Sequence, residues 1–567
     1  MKILGISHDV LICSACVMVD GTIVSAMAEE RLDRVKQSRV FPRRAIQACL
    51  AASGLAMSDI NEIAIGWNPA IESETTPSSQ LGSRRWRTEH WLQVPGQLMQ
   101  LAGEKATIET TIRNLYHGAP PATFVNHYWA HMGMAYALGP FDDAAILILD
   151  GRGEKDTVLL AHGTGTQIKV LSQTRFPHSL GLFYSAITQF LGHRPDSDEW
   201  KVMALASYAG GDNEYTPLLR GMVSVTPEGR LELDLSWFEF YNFWDNRMYS
   251  DRMVEALGAP REKGSAYSER DMQIAAAMQR VFEDTAAELL RVLHKLTGSA
   301  NVAVGGGCFM NSVFNGKITA VSPFANCHIG FAPDDSGTSL GAAAWLHAER
   351  TGTKPNPPAS AYLGLAYEEE RIARTVAGFK LPNARREADV CATAAADLAA
   401  GKILGWFQGR SEFGQRALGN RSILADPRRA EMKDAVNAAV KFREGFRPFA
   451  PAILADKTTE FFETDKNGDV PYMEKVFQFR AGKRNAVPAV VHADGSGRLQ
   501  TVEERHNPRF YGLIRQFGDL TGIPIVLNTS FNLNGEPVVE TPEDAIRTFY
   551  ACGLDVLYLG DWRIAKS

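Results

Sequence analysis

The sequence is poor in cysteine, in long apolar runs and in excess charge of one sign. Its seven cysteines are spread over 567 residues, which argues against a disulfide-stabilised secreted domain and indicates a reducing compartment. No window of about 18 uninterrupted apolar residues occurs, so no transmembrane helix is predicted. A formal net charge of -6 argues against a general nucleic-acid binder, which is usually basic. We therefore expect a cytoplasmic protein whose partners are neither membranes nor nucleic acids.

Two features near the start resemble signals for other functions. Charged residues closely bracket the apolar run Leu11–Val19, and a second strand pattern follows it, so it is not predicted to be a signal peptide. Cys13 and Cys16 form a C-x-x-C pair, but no second pair or histidine stands at zinc-finger spacing. Burial of both thiols in a strand is therefore preferred over a redox or zinc site.

Strand patterns in the first half predict an α/β fold of the actin-like type. Three short β-rich runs open the chain, at 1–7, 13–20 and 22–28. Asp20-Gly21 supplies a hairpin turn between the last two, and such a strand-turn-strand opening is how actin-like ATPase folds begin. A second unit of this kind starts at Ala144, where a buried run ends at Asp150 beside a glycine turn.

A chain of this length exceeds a single hydrophobic core, so two large domains are expected. The segment 351–358, T-G-T-K-P-N-P-P, combines turn formers without periodicity and is the best linker candidate. Beyond it, helical patterns around 368–377 and 392–400 and strand patterns near the end indicate a second α/β domain. We place the domains at 1–355 and 356–567.

A glycine loop follows a third buried strand pattern, V-A-V-G-G-G-C-F-M-N at 302–311. Gly306, Gly307 and Asn311 lie in this loop, which precedes a predicted helix. Glycines there allow the backbone to approach a phosphate or a metal-bound oxyanion, and a helix N-terminus favours negative charge. The loop is therefore a candidate ligand-binding segment.

Basic residues gather between 409 and 451 in a protein that is acidic overall. The segment contains Arg410, Arg416, Arg421, Arg428, Lys441, Arg443 and Arg447 among glycines, prolines and large apolar residues. Guanidinium groups bind oxyanions with two parallel hydrogen bonds, and a lysine adds a compact charge, so a small phosphate compound is the expected ligand. A solvated charged surface is the alternative, and the interleaved apolar residues argue against it.

A histidine pair indicates a candidate metal centre. His127 and His131 stand four residues apart in a segment of helical composition, so both imidazoles are predicted on one helix face. Such a pair alone is more often structural. Asp150 at a strand end and Asp335 in A-P-D-D-S-G strengthen the metal interpretation, because imidazoles with carboxylates suit Fe(II), Mn(II) or Zn(II).

Motifs along nearly the whole chain resemble those of the O-carbamoyltransferase family (NodU/CmcH), which includes the nebramycin, novobiocin, ansamycin and venturicidin carbamoyltransferases. The matching segments are E-E-R near the start, H-Y-W-A-H at 127–131, L-D-G-R-G-E at 149–154, D-E-W-K-V-M-A-L-A at 198–206, G-G-G-C-F-M-N at 305–311, the cationic segment, and V-L-N-T-S-F-N-L-N-G-E-P-V-V at 526–539. Their order and number argue against coincidence.

The resemblance implies the metal ligands. The family and the related tRNA threonylcarbamoyl-transfer proteins hold iron with two histidines and two aspartates from these motifs. Carried over, the ligands are His127, His131, Asp150 and Asp335, with Asp334 as an alternative to its neighbour.

The resemblance also implies the reaction. The C-terminal YrdC-like domain of the family makes carbamoyl adenylate from carbamoyl phosphate and from ATP carrying Mg²⁺, and the N-terminal actin-like domain passes the carbamoyl group to a hydroxyl. Arg416, Lys441 and Arg447 would bind carbamoyl phosphate and neutralise charge as phosphate leaves. Arg421 and Arg443 would share this task or brace the loop. The acceptor is expected to be a natural product, such as an antibiotic sugar or a polyketide.

Further polar residues are candidates for contacts with the substrates. Asn528, Ser530 and Asn532 in L-N-T-S-F-N offer hydroxyl and amide groups to the nucleotide, or instead cap turns. The remaining family motif, which contains His492, Asp494, Arg498 and Gln500, does not disclose individual roles.

His8 is the candidate general base for the acceptor hydroxyl. The chain departs here from many relatives, because four residues separate His8 and Asp9 from Ser14 and Ala15, where the family places its His-Asp pair closer to that Ser-Ala.

Two other functions remain alternatives. A tRNA threonylcarbamoyl-transfer enzyme would share both domain types, but the acidic chain has no basic RNA-binding tract. A non-catalytic nucleotide-binding regulator on the actin-like fold would have no need for both the metal set and the oxyanion set.

Overall fold

A computed structural model describes residues 1–8, 11–68, 106–241, 246–441, 449–464 and 468–566. The chain forms two compact units. The first comprises Met1–Val24, Arg39–Asn311 and Lys317–Pro357. The second comprises Ser25–Ser38, Ser312–Gly316 and Pro358–Ser567. Two short segments of the N-terminal half thus fold with the C-terminal half.

The strands are β1 Lys2–Ser7, β2 Ser14–Val19, β3 Thr22–Ala28, β4 Glu62–Ile65, β5 Ala122–Phe124, β6 Asp143–Leu149, β7 Asp156–Thr164, β8 Gln167–Arg175, β9 Val223–Val225, β10 Leu231–Leu233, β11 Asn301–Gly305, β12 Asn326–Ile329, β13 Ala384–Arg386, β14 Leu404–Phe407, β15 Arg421–Ala425, β16 Ala450–Leu454, β17 Lys475–Gln478, β18 Ser496–Val502, β19 Ile525–Ser530, β20 Val556–Leu559 and β21 Trp562–Ala565.

The α-helices are α1 Glu29–Asp33, α2 Arg43–Ser53, α3 Ala106–Leu115, α4 His127–Met132, α5 Leu180–Phe190, α6 Glu199–Leu205, α7 Thr216–Arg220, α8 Asp251–Leu257, α9 Glu269–Thr297, α10 Ser312–Asn315, α11 Ile318–Val321, α12 Thr338–Thr351, α13 Glu369–Gly378, α14 Val390–Ala399, α15 Met432–Val436, α16 Thr458–Phe461, α17 Pro508–Thr521 and α18 Pro542–Tyr550. A π-helical turn, Gly133–Ala137, continues α4.

The N-terminal half of the chain forms two five-stranded sheets with the same strand arrangement. Their orders are β3-β2-β1-β4-β5 and β8-β7-β6-β11-β12. In each sheet the first strand in sequence pairs antiparallel with the second and parallel with the fourth, and the fifth is parallel to the fourth. This duplicated topology is the actin-like fold that the opening strands predict.

Local chemistry explains the opening hairpin. Asp20 and Gly21 have φ of 46° and 77°, and a two-residue turn with two positive φ values favours Asp-Gly because its twist matches that of the paired strands. Cys13 and Cys16 are both free and buried, and burial raises the pKa of the Cys16 thiol above its usual range. Both observations agree with the sequence prediction for this region.

The second unit is built on a nine-stranded mixed sheet in the order β13-β21-β20-β14-β15-β19-β16-β18-β17. Successive residues of its central strands pack into different apolar clusters, because side chains alternate between the two faces of a strand. Phe407, for example, lies in a cluster with residues of α13 and α18, whereas Trp406 lies in a cluster with residues of α14 and α17. Helices therefore cover both faces of the sheet.

The predicted elements of the second half agree with the structure. Helices were expected around 368–377 and 392–400, and α13 and α14 occupy Glu369–Gly378 and Val390–Ala399. The predicted linker follows the end of α12 at Thr351 and has no regular structure. Among the described residues, no helix combines the length and the apolar character needed to cross a bilayer.

Candidate active site

Four predicted metal ligands meet in the first unit. α4 supplies His127 and His131, Asp150 follows β6, and Asp335 begins the turn that leads into α12. The two histidine Nε2 atoms are 3.0 Å apart, and His127 Nε2 lies 3.3 Å from Asp150 Oδ2 and 3.4 Å from Asp335 Oδ1. One ligand atom from each residue falls within 4.8 Å of all the others.

This spacing fits a divalent transition ion. Two bonds of about 2.1 Å that meet at roughly 90 to 110° hold their ligand atoms about 3.0 to 3.4 Å apart. Burial lowers the pKa of His127, but the hydrogen bonds and charges of Asp150 and Asp335 outweigh it and raise that pKa well above its ordinary value. The carboxylates therefore favour positive charge between them. Two imidazoles and two carboxylates suit Fe(II), Mn(II) or Zn(II), and the donor set does not distinguish among these ions.

Backbone contacts orient two of the ligands. His127 Nδ1 lies 3.4 Å from the carbonyl oxygen of Gly66, so a proton on Nδ1 leaves the Nε2 lone pair for a metal. Asp150 Oδ1 accepts a hydrogen bond of 2.8 Å from the Gly307 amide, which leaves Oδ2 facing the histidines. At the neighbouring Gly306, φ is 95° and a Cβ would lie 2.2 Å from the Leu149 carbonyl oxygen. The glycine loop thus holds Asp150, one of the predicted metal ligands.

Glu154 joins three segments around the metal centre, a role that the sequence did not reveal. Its buried carboxylate accepts hydrogen bonds from the Asn68 amide at 2.7 Å, the His127 amide at 2.8 Å and Asn126 Nδ2 at 3.0 Å. The Asn126 Oδ1 atom caps α4 by accepting from the amides of Tyr128 and Trp129. Glu154 therefore fixes the first turn of α4 against the loop that carries Asp150.

The choice between the adjacent aspartates is clear from their contacts. Asp334 Oδ1 accepts a 2.6 Å hydrogen bond from Ser336 Oγ, whereas Asp335 faces both histidines. The backbone amide of Leu11 and the hydroxyl of Ser7 donate to Asp335.

His8 directly follows Ser7, so the hairpin that carries the candidate base is hydrogen-bonded to Asp335, a predicted metal ligand. Its ring makes an edge contact with Phe41. Asp9 lies outside the described residues, and the role of His8 as general base stays a prediction.

Asn311, the third predicted residue of the glycine segment, pairs with Gln279. The two side-chain amides exchange hydrogen bonds of 3.1 Å and 2.9 Å. These contacts anchor the end of the glycine loop to the long helix α9.

In the second unit, a hydrogen-bond frame holds the loop that carries Arg416. One oxygen of the buried Glu412 carboxylate accepts from the amides of Leu418, Asn420 and Arg421. From the other side, Gln500 Nε2 donates to the Leu418 carbonyl, and Asn528 Nδ2 donates to the Ala417 carbonyl and to Gln500 Oε1. The backbone on both sides of Arg416 is therefore fixed.

Arg421 occupies a different environment from that of Arg416. It is fully buried, donates to the carbonyl oxygens of Gln408 at 2.6 Å and Leu365 at 3.2 Å, and lies 3.6 Å above the ring of Phe407. Of the two roles predicted for Arg421, these contacts favour bracing of the loop over binding of a ligand, because carbonyl groups accept from both of its terminal nitrogens.

The other predicted nucleotide contacts differ in their surroundings. Asn528 is buried, and its Nδ2 atom already donates to the Ala417 carbonyl and to Gln500. Asn532 Nδ2 donates to the Glu536 carbonyl at 2.6 Å. Ser530 lies two residues after Asn528 on β19 and is half-buried. The side chain of Lys441 and residues Arg443 and Arg447 lie outside the described part of the chain, so their predicted roles stay predictions.

A second arginine lies close to Arg416. Arg498, on β18, donates through Nε and Nη2 to Ser312 Oγ at 2.9 Å and 2.7 Å. Burial, and then the positive charge of Arg416, lower the pKa of Arg498 well below its ordinary value. Arg498 is half-buried. Within the described ranges no carboxylate forms a salt bridge with it, and a bound anion would stabilise such a cation.

Comparison with known proteins places these sites in one family. Residues 2–344 match the family model described as "Carbamoyltransferase N-terminus", and residues 395–566 match "Carbamoyltransferase C-terminus". The chain belongs to the carbamoyltransferase family. The metal residues fall within the first match and the Arg416 loop within the second, so this chain is a transferase with both regions of the family.

Individual relatives span most of the chain. A Synechocystis protein called "Uncharacterized protein sll1178" is 35% identical over 100% of this chain and 97% of its own length. "Nodulation protein NolNO" of Sinorhizobium fredii is 36% identical over 99% of this chain and 79% of its own. The structure of "T.kodakarensis HypF" shares 12% identity and a TM-score of 0.32, over 62% of this chain and 48% of its own, which is too low for a functional comparison.

We predict that His127→Ala or Asp335→Ala removes stoichiometric metal without unfolding the protein. Each substitution leaves an incomplete ligand set, whereas the surrounding strands remain paired. Elemental analysis after metal loading and a thermal melt measure the two effects. Full metal occupancy in both variants would show that these residues are not ligands.

Glu154→Gln should weaken metal binding by about 10- to 100-fold, the range observed when an outer partner of a metal ligand is lost. The glutamine presents an N–H₂ group to Asn126 Nδ2, and two donors cannot pair. Competition with a chromogenic chelator measures the affinity. Glu62→Gln is the matched control, because Glu62 pairs with Arg350 at the surface. Equal affinities in the two variants would argue against the positioning role.

Proposed function

We propose that the chain is an ATP-dependent O-carbamoyltransferase that uses carbamoyl phosphate and passes through carbamoyl adenylate. The observation that carries the proposal is the presence of both family regions on one chain, each with a charged site suited to one step. The Arg416 loop supports adenylate formation, and the His-Asp cluster supports transfer to the acceptor.

The proposed chemistry has three balanced steps. Water adds to carbamoyl phosphate and releases phosphate and carbamate. A carbamate oxygen then attacks the α-phosphorus of ATP, which forms carbamoyl adenylate and releases pyrophosphate. Finally, the acceptor hydroxyl attacks the carbamoyl carbon, loses its proton and displaces AMP.

In the first two steps, cationic side chains would neutralise the oxyanions. The backbone on both sides of Arg416 is fixed, so the loop itself needs little reorganisation during reaction. Arg498 adds a second, half-buried positive charge nearby. Lys441 and Arg447 are proposed to complete the site, and Mg²⁺ would accompany the ATP phosphates.

In the last step, His127, His131, Asp150 and Asp335 would hold a divalent ion, and Fe(II) is the proposed one. When bound, such an ion polarises a carbonyl oxygen and stabilises negative charge on it. His8 would accept the proton of the acceptor hydroxyl, since its hairpin is hydrogen-bonded to Asp335.

The proposed acceptor is a hydroxyl-bearing small molecule of the natural-product class, such as an antibiotic sugar or a polyketide. The net charge of -6 supports a small-molecule acceptor over a tRNA, which requires a basic surface.

We predict that His127→Ala separates the two half-reactions. The variant should still exchange label between pyrophosphate and ATP in the presence of carbamoyl phosphate, because the metal ligands are not part of the adenylate site. Carbamoylated product should not form. Exchange and product formation are measured on the same preparation, and loss of both would show that the metal centre also serves the first half-reaction.

Arg416→Lys should lose about 3 kcal/mol of transition-state stabilisation, the size measured for one preorganised oxyanion contact. A lysine keeps the charge but cannot make two parallel hydrogen bonds to a phosphate. Pyrophosphate exchange measures the effect upstream of any acceptor. Arg428→Lys is the control, because Arg428 pairs with Asp426. Wild-type exchange in Arg416→Lys would remove this residue from the site.

A further inference from the structure

A short hydrogen-bond chain precedes and enters β18. Ser496 Oγ lies 2.6 Å from Asp494 Oδ1 and 3.1 Å from His492 Nδ1. The aspartate carboxylate only accepts hydrogen bonds, so the single hydroxyl hydrogen of Ser496 goes to Asp494. Ser496 Oγ must then accept from His492, which places the imidazole proton on Nδ1. The other ring nitrogen, Nε2, therefore carries a bare lone pair.

That lone pair lies inside the second unit. The Nε2 atom of His492 is buried and has no hydrogen-bond partner among the described residues. Burial, with the charges of Arg498 and Lys433, lowers the pKa of His492 to about 4, although Asp494 opposes this shift. The imidazole is therefore neutral at pH 7, and Nε2 is a buried acceptor whose donor comes from a water molecule or a ligand.

The strand connects this acceptor to the arginine site. Side chains two residues apart on a strand share a face, so Ser496, Arg498 and Gln500 lie on one face of β18. Gln500 binds the Leu418 carbonyl in the loop of Arg416, and Ser496 binds His492. His492 therefore lies at one end of the row of polar groups that contains Arg498.

A ligand for this row needs an oxyanion and an N–H or O–H donor within one small molecule. Carbamoyl phosphate has a phosphate group for the guanidinium groups and an NH₂ group for a lone pair. Acetyl phosphate has the same phosphate and a methyl group instead of NH₂. A buried acceptor discriminates strongly between two such compounds, because the analogue leaves it unpaired.

We propose that His492 Nε2 accepts an N–H of the carbamoyl group and thereby selects carbamoyl phosphate over acetyl phosphate. The inference rests on the proposed function of the Arg416 site and adds a specificity-determining residue to it. Asp494 and Ser496 act through His492 by fixing its tautomer.

The test compares His492→Phe with the wild type in carbamoyl phosphate-dependent pyrophosphate release. The phenyl ring fills the space of the imidazole but offers no acceptor. The KM for carbamoyl phosphate should rise by about tenfold, the effect of one lost hydrogen bond. The KM for ATP should not change, and the inhibition constant of acetyl phosphate should fall, because the phenyl ring has no acceptor for the methyl group to leave unpaired. His492→Gln, whose carbonyl oxygen can accept the N–H, should recover part of the preference.

Two further variants keep the result decisive. His506→Phe is the matched control, since His506 is a half-exposed imidazole of the same unit that pairs with Glu503. Ser496→Ala leaves His492 in place but removes the partner of Nδ1, so the proton can lie on either ring nitrogen. The KM for carbamoyl phosphate should therefore rise, by a smaller factor than in His492→Phe. Ser496→Ala decides the question if His492→Phe does not fold.

Other outcomes overturn the inference. Parallel changes for carbamoyl phosphate, acetyl phosphate and ATP would show a structural role, and a change for ATP alone would place Nε2 at the nucleotide. Unchanged kinetics in both His492→Phe and Ser496→Ala would exclude the contact. Failure of the proposed function is distinguishable, because the wild type would then release no pyrophosphate in response to carbamoyl phosphate.

Discussion

Attraction between two buried imidazoles and two carboxylates, one buried and one half-buried, is the interaction on which the candidate metal centre depends. Asp150 and Asp335 follow strands of the second sheet, and His127 and His131 come from the helix after the first sheet. The carboxylates require positive charge between them, whether as protons on the imidazoles or as a divalent ion. Glu154, Gly307 and Gly66 hold the ligands by hydrogen bonds from outside, so the site is fixed by its surroundings.

In the second unit, two positively charged side chains lie close together. Arg416 and Arg498 repel each other. The Glu412 carboxylate and the Gln500 amide hold the backbone of the Arg416 loop, and the Ser312 hydroxyl accepts from Arg498. A phosphate group is the ligand proposed for these two cations. Arg421, only five residues from Arg416, instead donates to backbone carbonyls and packs against the Phe407 ring. Arginines of one segment thus have different tasks, which their burial and contacts distinguish.

Local patterns in the sequence predict much of this structure. The Asp20-Gly21 turn, the four-residue spacing of His127 and His131, and the buried run before Asp150 depend on neighbouring residues only, and the structure agrees with each. Contacts between distant segments could not be predicted. Examples are the Glu154 carboxylate at the start of α4, the Gly307 amide on Asp150, and the folding of Ser25–Ser38 with the second unit. The His492 tautomer likewise depends on the positions of two partners.

Exchange of label between pyrophosphate and ATP by the wild-type protein tests adenylate formation most directly, because it needs neither an identified acceptor nor a known native metal. The arrangement of cations around Arg416 and Arg498 predicts exchange that depends on carbamoyl phosphate and proceeds without acceptor. Exchange that is absent, or that is equally fast without carbamoyl phosphate, would contradict the assignment of the second unit as the site where the carbamoyl group is activated.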